Sequence, residues 1–281
     1  MNKLDGLVAI VTGAGSTGRG IGNGRAAAIR LADEGARVAL FDITESSLET
    51  QAMIEERGGT CEVISCDVTD PEKVRTAVDR CYAHWGRIDI LVNNVGIAGP
   101  EGTSVEVDLD GWDRCFRTNV TSMMLMSRFV IPKMIETGGG SIVNLSSLAG
   151  IRGGHAAIAY ATSKGAVVNL TQAMAGQHGQ DGIRVNAVAP GLVYTPMVAE
   201  NGIDERLREI RASSNLLGTE GTGWDVAEAV LFLAGPTARW ITGVVLPVDG
   251  GLSSYVAATQ VSVTANGATV ASAADTAGAA R

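Results

Sequence analysis

The sequence Leu7-Val-Ala-Ile-Val-Thr12 leads directly into Gly13-Ala-Gly-Ser-Thr-Gly-Arg-Gly-Ile-Gly-Asn-Gly24, and then into an alanine-rich stretch from Arg25 to Glu34. The apolar run predicts a strand buried on both faces, and the stretch after the glycines predicts a helix. A glycine-rich turn between a strand and a helix brings backbone N–H groups and the positive helix end to a point where a pyrophosphate can bind. The turn therefore predicts dinucleotide binding, with a purely structural turn as the alternative.

Apolar runs and helical stretches alternate from this point to residue 252. The predicted strands cover residues 7–12, 37–41, 61–65, 88–92, 141–145, 184–188 and 244–248. The predicted helices cover residues 25–34, 46–57, 71–85, 112–135 and 225–234, with one more through residues 160 and 164. This alternation is typical of a parallel sheet with helices on both faces. With right-handed crossovers, the seven strands form one doubly wound, Rossmann-like α/β domain over residues 1–252.

Two segments interrupt the alternation. Residues 192–223 separate a strand from a helix and are mostly polar, and a connection of this length is typical of a functional lid. Residues 253–281 form a tail rich in Ala, Thr and Val. Its apolar and polar residues alternate around Asn266-Gly267, which predicts a hairpin, although a lone hairpin is marginal in water and disorder is the alternative.

Composition excludes several classes of function. The net charge of −8 and the absence of Lys/Arg clusters argue against nucleic acid and anionic membranes as partners. No apolar run is long enough to span a bilayer, and the N-terminus lacks a signal-peptide pattern. The four cysteines have no CxxC spacing and the three histidines are scattered, so we predict reduced thiols and no metal site. These features predict a cytoplasmic protein.

Tyr160 and Lys164 lie four residues apart on a predicted helix, which places both side chains on one face. A free tyrosine has a pKa of about 10 and is a poor base at neutral pH. A nearby lysine cation favours the phenolate and lowers that pKa. The pair is therefore predicted to exchange a proton with a hydroxyl or a carbonyl near neutral pH. Two surface neighbours without a catalytic role are the alternative.

Asp42 ends the second predicted strand, 20 residues after Gly22. A carboxylate at this place accepts hydrogen bonds from an adenosine ribose. A 2′-phosphate would bring a charge of about −2 against it, and Ile43-Thr44 offers no cation. Arg19 in the glycine turn could bind that phosphate, with exposure to solvent as the alternative. We therefore predict NAD as the cofactor rather than NADP.

The pair of Tyr160 and Lys164, together with Ser147 and Asn119, resembles the catalytic residues of the short-chain dehydrogenase/reductase family. The resemblance implies that Tyr160 is the acid/base, and that Lys164 lowers its pKa and holds the nicotinamide ribose. It further implies that Ser147 hydrogen-bonds the substrate oxygen and that Asn119, on the preceding long helix, holds a water in the proton relay. Ser146 is the alternative to Ser147, but only Ser147 is separated from the tyrosine by the family's twelve residues.

The likeness covers nearly all of the chain from Leu4 to Leu252. Asn93-Asn94-Val95-Gly96 is similar to the family's Asn-Asn-Ala-Gly, which lies at the adenine side of the cofactor. The resemblance also implies that Asp67 and Val68 contact the adenine. It further implies that a segment with Pro190, Gly191, Val193 and Thr195 binds the cofactor, with Thr195 reaching the nicotinamide carboxamide.

The glycine turn departs from the family pattern Thr-Gly-x-x-x-Gly-x-Gly. Aligned back from residues 32–35, the chain carries about three extra residues, so the assignment of its glycines stays open. Gly13 corresponds to the first glycine of the family pattern. Either Gly18 with Gly20 or Gly22 with Gly24 then faces the phosphates.

Three residues are candidates for substrate recognition. Arg152 and His155 lie in a segment that the resemblance puts beside the substrate, where either could recognise a polar or anionic group. A solvated loop is the alternative. Tyr194, in the predicted lid, is a candidate substrate-facing ring.

The resulting hypothesis is an NAD-dependent oxidoreductase that interconverts a small secondary alcohol and a ketone. One alternative is an NADPH-dependent ketoreductase of the same fold, such as one that acts on acyl-thioesters. The other is a dinucleotide-binding redox sensor without turnover, which would not need Ser147 or Lys164. The resemblance also implies a homo-oligomer, either a tetramer or a dimer, joined through the two long helices and the C-terminal strand. Residues 123–126 would suit such an interface, and core packing explains some of them equally well.

Overall fold

The computed structural model describes residues 3–16, 18, 20–200 and 202–254. Its strands, numbered β1 to β9 in chain order, cover Val8–Thr12, Arg37–Asp42, Thr60–Ser65, Ile90–Asn93, Gly140–Leu145, Ile183–Pro190, Val193–Tyr194, Gly221–Thr222 and Val245–Val248. Its α-helices, numbered α1 to α9, cover Asn23–Asp33, Ser47–Glu56, Pro71–Trp85, Leu109–Phe116, Ser122–Glu136, Ile158–His178, Pro196–Ala199, Glu205–Ser213 and Gly223–Ala234. Every predicted strand and helix is present, with its ends shifted by a few residues.

Seven of the strands form one sheet in the order β3-β2-β1-β4-β5-β6-β9, and every pairing in it is parallel. The chain builds outward from β1 to β3, returns to place β4 beside β1, and then builds outward to β9. The predicted doubly wound sheet is therefore confirmed. Because the direction of building reverses between β1 and β4, a ligand is expected beyond the carboxyl ends of these two strands.

Both faces of the sheet are covered, which explains why β1 is apolar from Val8 to Val11. Ala9 and Val11 point into a cluster with α1 and α9, whereas Val8 and Ile10 point into a second cluster with α3 and α5. Successive side chains of a strand point to opposite faces, so a strand between two helical layers needs apolar residues at every position.

The helix predicted over residues 112–135 is divided. A π-helical segment, Arg117–Thr121, separates α4 from α5 and contains Asn119. Such segments widen a helix locally and occur often at functional sites. The sequence periodicity did not show this feature.

On α5, core packing accounts for three of the four residues considered for an interface. Met123, Leu125 and Met126 are buried, while Met124 is 40% exposed. Met124 alone of the four is thus available to a partner.

The segment 192–223 is more ordered than a simple polar loop. It contains α7, α8 and a two-stranded parallel pair, β7 with β8. The hairpin predicted around Asn266-Gly267 and Arg19 in the glycine turn both lie outside the described residues.

Three further observations concern the described part of the chain. All four cysteines are free. None of its helices has the length and hydropathy that a membrane span requires. No group of three His, Cys, Asp or Glu side chains among these residues could hold a metal ion.

Candidate active site

A cavity of about 650 Å³ lies along the carboxyl edge of the sheet. Asp42 ends β2 and Ser147 follows β5, so these two lining residues are three strand spacings apart, roughly 14 Å at about 4.8 Å per spacing. Most of the residues predicted to bind a cofactor line this cavity: Gly13, Gly22, Asp42, Asp67, Val68, Asn94, Gly96, Tyr160, Lys164, Pro190, Gly191, Val193 and Thr195.

Gly22 is one of the residues of the glycine turn that line the cavity. A Cβ atom on Gly22 would lie 3.8 Å from Oγ of Ser16 and would clash with nothing in the described chain. Gly24 instead packs so tightly against the Gly13 carbonyl and the Asn94 amide that a Cβ atom could not fit. Gly22 therefore faces the open space that a phosphate needs, and Gly24 allows α1 to approach the sheet.

Gly18 and Gly20, which were also predicted to bind the cofactor, are not among the residues that line the cavity. A Cβ atom on Gly18 would lie 2.8 Å from Oε1 of Glu200, and one on Gly20 would lie 3.5 Å from Cγ of Pro196. Both glycines thus face α7 and its C-terminal end. Of the two glycine pairs that the sequence left open, only Gly22 and Gly24 line the cavity.

Asp42 is held by the chain itself. Its Oδ2 accepts a hydrogen bond of 2.8 Å from the Gly15 backbone N–H. Its Oδ1 accepts two more from the backbone N–H and the hydroxyl of Thr44, each 2.8 Å long. An ionised carboxylate offers about four acceptor positions, so about one remains for a ligand in this conformation.

Hydrogen bonds within the chain also fix the parts of the cavity wall that follow β3 and β4. Oδ1 of Asp67 accepts hydrogen bonds from the hydroxyl and the N–H of Thr69, which hold the pKa of Asp67 below its usual value. Nδ2 of Asn94 donates to the carbonyls of Thr12 and Gly13, both at 3.1 Å. This amide fastens the end of β4 to the start of the glycine turn.

Tyr160 and Lys164 project from the first two turns of α6. Nζ of Lys164 is buried, donates to the Leu145 carbonyl at 2.7 Å, and lies 5.8 Å from the centre of the Tyr160 ring. An ammonium has three donors, so two remain for a ribose or a water. Gly96 lies directly behind, where a Cβ atom would come within 3.2 Å of Nζ.

The two adjacent serines have different partners. Oγ of Ser147 accepts a hydrogen bond from the Ala149 N–H at 3.1 Å, and Ser147 also hydrogen-bonds with the Tyr160 phenol. The Ser146 hydroxyl is buried and donates to the Lys164 carbonyl at 2.8 Å. Ser146 therefore anchors α6, and Ser147 is the serine that contacts Tyr160 at the cavity.

The pKa of Tyr160 runs opposite to the predicted direction. Burial of the phenol raises its pKa above 10, and hydrogen bonding with Ser147 only partly offsets this. Burial also lowers the pKa of Lys164 from 10.5 to about 8. Desolvation, which the spacing of two residues does not reveal, is the largest cause of both shifts.

Asn119 acts through its neighbours. Its Nδ2 donates to the Ile97 carbonyl and to Oγ of Ser163, both at 2.9 Å, and its Oδ1 accepts from the Ile97 N–H at 2.8 Å. The side chain thus joins the π-helical segment to α6 and to the loop after β4. Ser163 was not singled out in the sequence, although it stands directly before Lys164.

The three predicted substrate residues differ in position. The His155 ring lies 5.0 Å from the Tyr160 ring, and its Nδ1 accepts from the Ala157 N–H at 3.1 Å. Arg152 instead donates to the carbonyls at 252 and 253, and Tyr194 lies under the Arg208 guanidinium at 4.0 Å. The residues of segment 192–223 that do line the cavity include three the sequence did not indicate: Pro196, Met197 and Val198.

The residues of the glycine turn fit a nucleotide diphosphate. The N-terminus of α1 has no side-chain cap, so its first N–H groups are available to an anion. Beside it, Oγ of Ser16 and Oδ1 of Asn23 are buried without a hydrogen-bond partner among the described residues. Buried polar atoms without partners are uncommon and indicate that another group completes the site.

Comparison with known proteins agrees with this geometry. The family model described as enoyl-(acyl carrier protein) reductase matches residues 15–253. The cis-4-hydroxycyclohexanecarboxylate dehydrogenase of Sinomonas cyclohexanicum is 37% identical over 247 residues, which cover 88% of this chain and 96% of that protein.

Two solved structures extend the comparison. A protein from Burkholderia xenovorans, described as a short-chain dehydrogenase/reductase, is 41% identical with a TM-score of 0.87 and matches 91% of this chain and 100% of its own. A 7α-hydroxysteroid dehydrogenase, solved with NADH and 7-oxo glycochenodeoxycholic acid, is 33% identical with a TM-score of 0.82. That match covers 89% of this chain and 95% of the other.

Proposed function

The chain belongs to the short-chain dehydrogenase/reductase family, and from that premise we propose that it is an NAD-dependent oxidoreductase that interconverts a secondary alcohol and a ketone. One observation carries this proposal: a single cavity contains Asp42 at one end and Ser147, Tyr160 and Lys164 at the other. Such a cavity suits a ligand that has a ribose to recognise at one end and a reacting carbon at the other. The nicotinamide supplies the hydride acceptor or donor when it is bound.

Tyr160 is the proposed proton acceptor for the alcohol and proton donor to the ketone. Nζ of Lys164 lies 5.8 Å from the centre of the Tyr160 ring, and we propose that at this distance the two side chains titrate as a pair. When Tyr160 and Lys164 together have lost one proton, the pair is the base for alcohol oxidation. When both side chains are protonated, the pair is the acid for ketone reduction. Lys164 stabilises the phenolate whenever it carries the remaining proton.

Ser147 is proposed to orient the substrate. Its hydroxyl hydrogen-bonds with Tyr160 in the free protein, and we expect a bound alcohol or ketone oxygen to take over that bond. That bond holds the reacting oxygen beside the Tyr160 phenol, and correct positioning of reacting groups accounts for much of enzymatic rate acceleration.

Asn119 is proposed to support the proton relay indirectly, by holding the π-helical segment in place. Its side chain is occupied by Ile97 and Ser163, so a relay water would be held by main-chain atoms of the π-helical segment. Asn119 and Ser163 together keep that segment against α6.

Recognition of the substrate is proposed to involve His155 and segment 192–223, which would act as the lid. His155 is beside Tyr160, and Met197 and Val198 line the same cavity. Arg152 and Tyr194 contribute to the shape of this region through the contacts described above. A C-terminal tail, residues 253–281, would follow the catalytic domain.

NAD is the proposed cofactor because the Asp42 carboxylate lies in the cavity, where a 2′-phosphate would meet its charge. The similar hydroxysteroid dehydrogenase was solved with NADH. The second candidate is an NADPH-dependent ketoreductase of the same fold, such as one that acts on acyl-thioesters. The description of the matching family model, which names acyl carrier protein, supports that substrate class.

We also propose a homo-oligomer, a tetramer or a dimer, in the cytoplasm. Support comes from apolar side chains exposed on the single chain, including Met124 on α5 and Trp240, which is 92% exposed shortly before the edge strand β9.

The test is a panel of secondary alcohols incubated with NAD⁺ or NADP⁺, with absorbance of the reduced cofactor as the readout. We expect turnover with at least one alcohol and a preference for NAD⁺. Faster turnover with NADP⁺ would favour the second candidate. NADH binding without turnover of any alcohol or ketone would favour the redox sensor.

A further inference from the structure

Glu220 directly precedes β8, and its carboxylate binds two arginines of α8. Oε2 accepts a hydrogen bond of 2.8 Å from Nε of Arg208, and Oε1 accepts one of 3.0 Å from Nε of Arg211. The Glu220 side chain is only 9% exposed, so solvent screens these two ion pairs less than it screens a pair on the open surface. Charge-assisted hydrogen bonds of this kind are among the stronger polar contacts in proteins.

The same two arginines also contact β7. Nη2 of Arg211 donates to the Val193 carbonyl at 3.2 Å, and the Arg208 guanidinium lies over the Tyr194 ring at 4.0 Å. Val193 and Tyr194 pair in turn with the two residues of β8, which follow Glu220 directly. The helix α8 and both strands are thus linked to one another, and the Glu220 carboxylate joins the two arginines that make the links.

These links determine the position of α8 and of the chain that follows β7. None of the residues of α8 is buried, so apolar packing contributes little to the position of this helix. The strand β7 leads directly into residues 195–198, and all four of these residues line the cavity. A movement of α8 that displaces Val193 or Tyr194 is therefore passed on to the cavity wall.

We propose that Glu220 is a positioning residue for the alcohol or ketone substrate, whose carboxylate holds α8 against β7 and thereby fixes the cavity wall at residues 195–198. The described residues that line the cavity do not include Glu220, so it acts through Arg208 and Arg211. The inference gives Tyr194 a place in the support of this wall. It rests on the proposed function, because it takes the wall at residues 195–198 to face the substrate.

The test is Glu220→Gln, which keeps the size of the side chain and removes its charge. The matched control is Glu209→Gln, which removes an exposed carboxylate from α8 itself. Four quantities are measured for each variant and for the unmodified protein: KM for an alcohol identified from the panel, affinity for AMP, melting temperature, and hydrogen–deuterium exchange of residues 193–198. AMP reports on the end of the cavity that contains Asp42.

In Glu220→Gln we expect KM to rise about tenfold and exchange at residues 193–198 to become faster. An amide offers one acceptor oxygen in place of two, so one arginine loses its partner and both lose the attraction of the charge. The affinity for AMP should be unchanged, and the melting temperature should stay within a few degrees. In Glu209→Gln all four quantities should match those of the unmodified protein.

A second variant tests the same links from the side of the helix. Arg211→Gln should also raise KM and the rate of exchange, and it provides the measurement if Glu220→Gln does not fold. The double variant Glu220→Gln/Arg211→Gln should have about the same KM as Glu220→Gln, because substitutions within one network of contacts are not additive. An additive rise in KM would show that the two residues act independently, which would contradict the inference.

Three further results would overturn the inference. If Glu220→Gln and Glu209→Gln give the same KM and the same exchange, Glu220 has no positioning role, and turnover by the unmodified protein keeps the proposed function standing. If KM, AMP affinity and melting temperature all worsen together in Glu220→Gln, the residue supports the whole domain rather than this wall. If the unmodified protein turns over no alcohol or ketone, the proposed function fails and the inference fails with it.

Discussion

The backbone N–H of Gly15 donates a 2.8 Å hydrogen bond to Oδ2 of Asp42, so the residue proposed to select the cofactor also fixes the glycine turn. Thr44 binds the other carboxylate oxygen through its N–H and its hydroxyl. Selection of the ribose and the shape of the phosphate site are therefore coupled through one side chain. A substitution at Asp42 must be compared with one that disturbs the same network without removing its charge.

We predict that the unmodified protein binds NADH at least tenfold more tightly than NADPH, which requires only ~1.4 kcal/mol. Asp42→Ala should weaken NADH binding and reduce the preference for NADH over NADPH, because both the ribose acceptor and the repulsion of a 2′-phosphate are lost. Thr44→Val removes the hydroxyl that donates to Oδ1 of Asp42 and keeps the carboxylate charge, so the preference for NADH should persist. Dissociation constants from fluorescence titration provide the measurement, and equal or tighter binding of NADPH by the unmodified protein would contradict it.

The glycine assignment gives a second prediction. In Gly22→Ala the new methyl group meets no protein atom within 3.4 Å, so the melting temperature should be nearly unchanged. The methyl group would occupy the space that faces the proposed phosphate, and NADH affinity should fall about tenfold or more. The control is Gly18→Ala, whose methyl group would meet only the flexible end of Glu200 closely and should leave NADH affinity unchanged. The reverse ranking of the two variants would show that the extra residues of the turn face the cofactor after all.

The sequence predicted the fold almost completely because periodicity and strand–helix alternation are local signals. The spacing of Ser147, Tyr160 and Lys164 likewise identified three side chains that the structure places at one cavity. The path of the glycine turn was not predictable, because it depends on contacts with α7 and Asp42 that lie far away along the chain. The direction of the Tyr160 pKa was missed for a similar reason, since burial is a property of the folded environment.

A third prediction concerns Ser163 as a positioning residue. Ser163→Ala removes the acceptor for Nδ2 of Asn119 and leaves part of a buried amide unsatisfied. We expect kcat to fall about tenfold, with the affinity for NADH nearly unchanged, because the π-helical segment loses its link to α6. The matched control is Thr162→Ala, whose hydroxyl is exposed and bonds only within α6. If both variants kept the same kcat, Ser163 would have no positioning role.

Tyr160→Phe should abolish turnover and leave NADH binding nearly intact. The ring keeps its packing beside His155, and only the titrating hydroxyl is lost. Removal of a general acid/base should cost at least ~10²–10⁴-fold in rate. Retention of more than about a tenth of the unmodified rate, on an alcohol identified from the panel, would show that another group transfers the proton.

The last prediction is the pH dependence of the pair. Burial lowers the pKa of Lys164 to about 8 and raises that of Tyr160, so the pair loses its first proton near pH 8. The state with one proton missing includes the phenolate–ammonium form, which is the base for oxidation. Accordingly, kcat/KM for alcohol oxidation should rise with pH through about 8, and kcat/KM for ketone reduction should fall through the same region. In Lys164→Met the tyrosine must titrate alone, so the rise in the oxidation profile should move to higher pH, toward the raised pKa of the buried phenol. An oxidation profile with the same midpoint in Lys164→Met and in the unmodified protein would mean that the titrating group lies outside this pair.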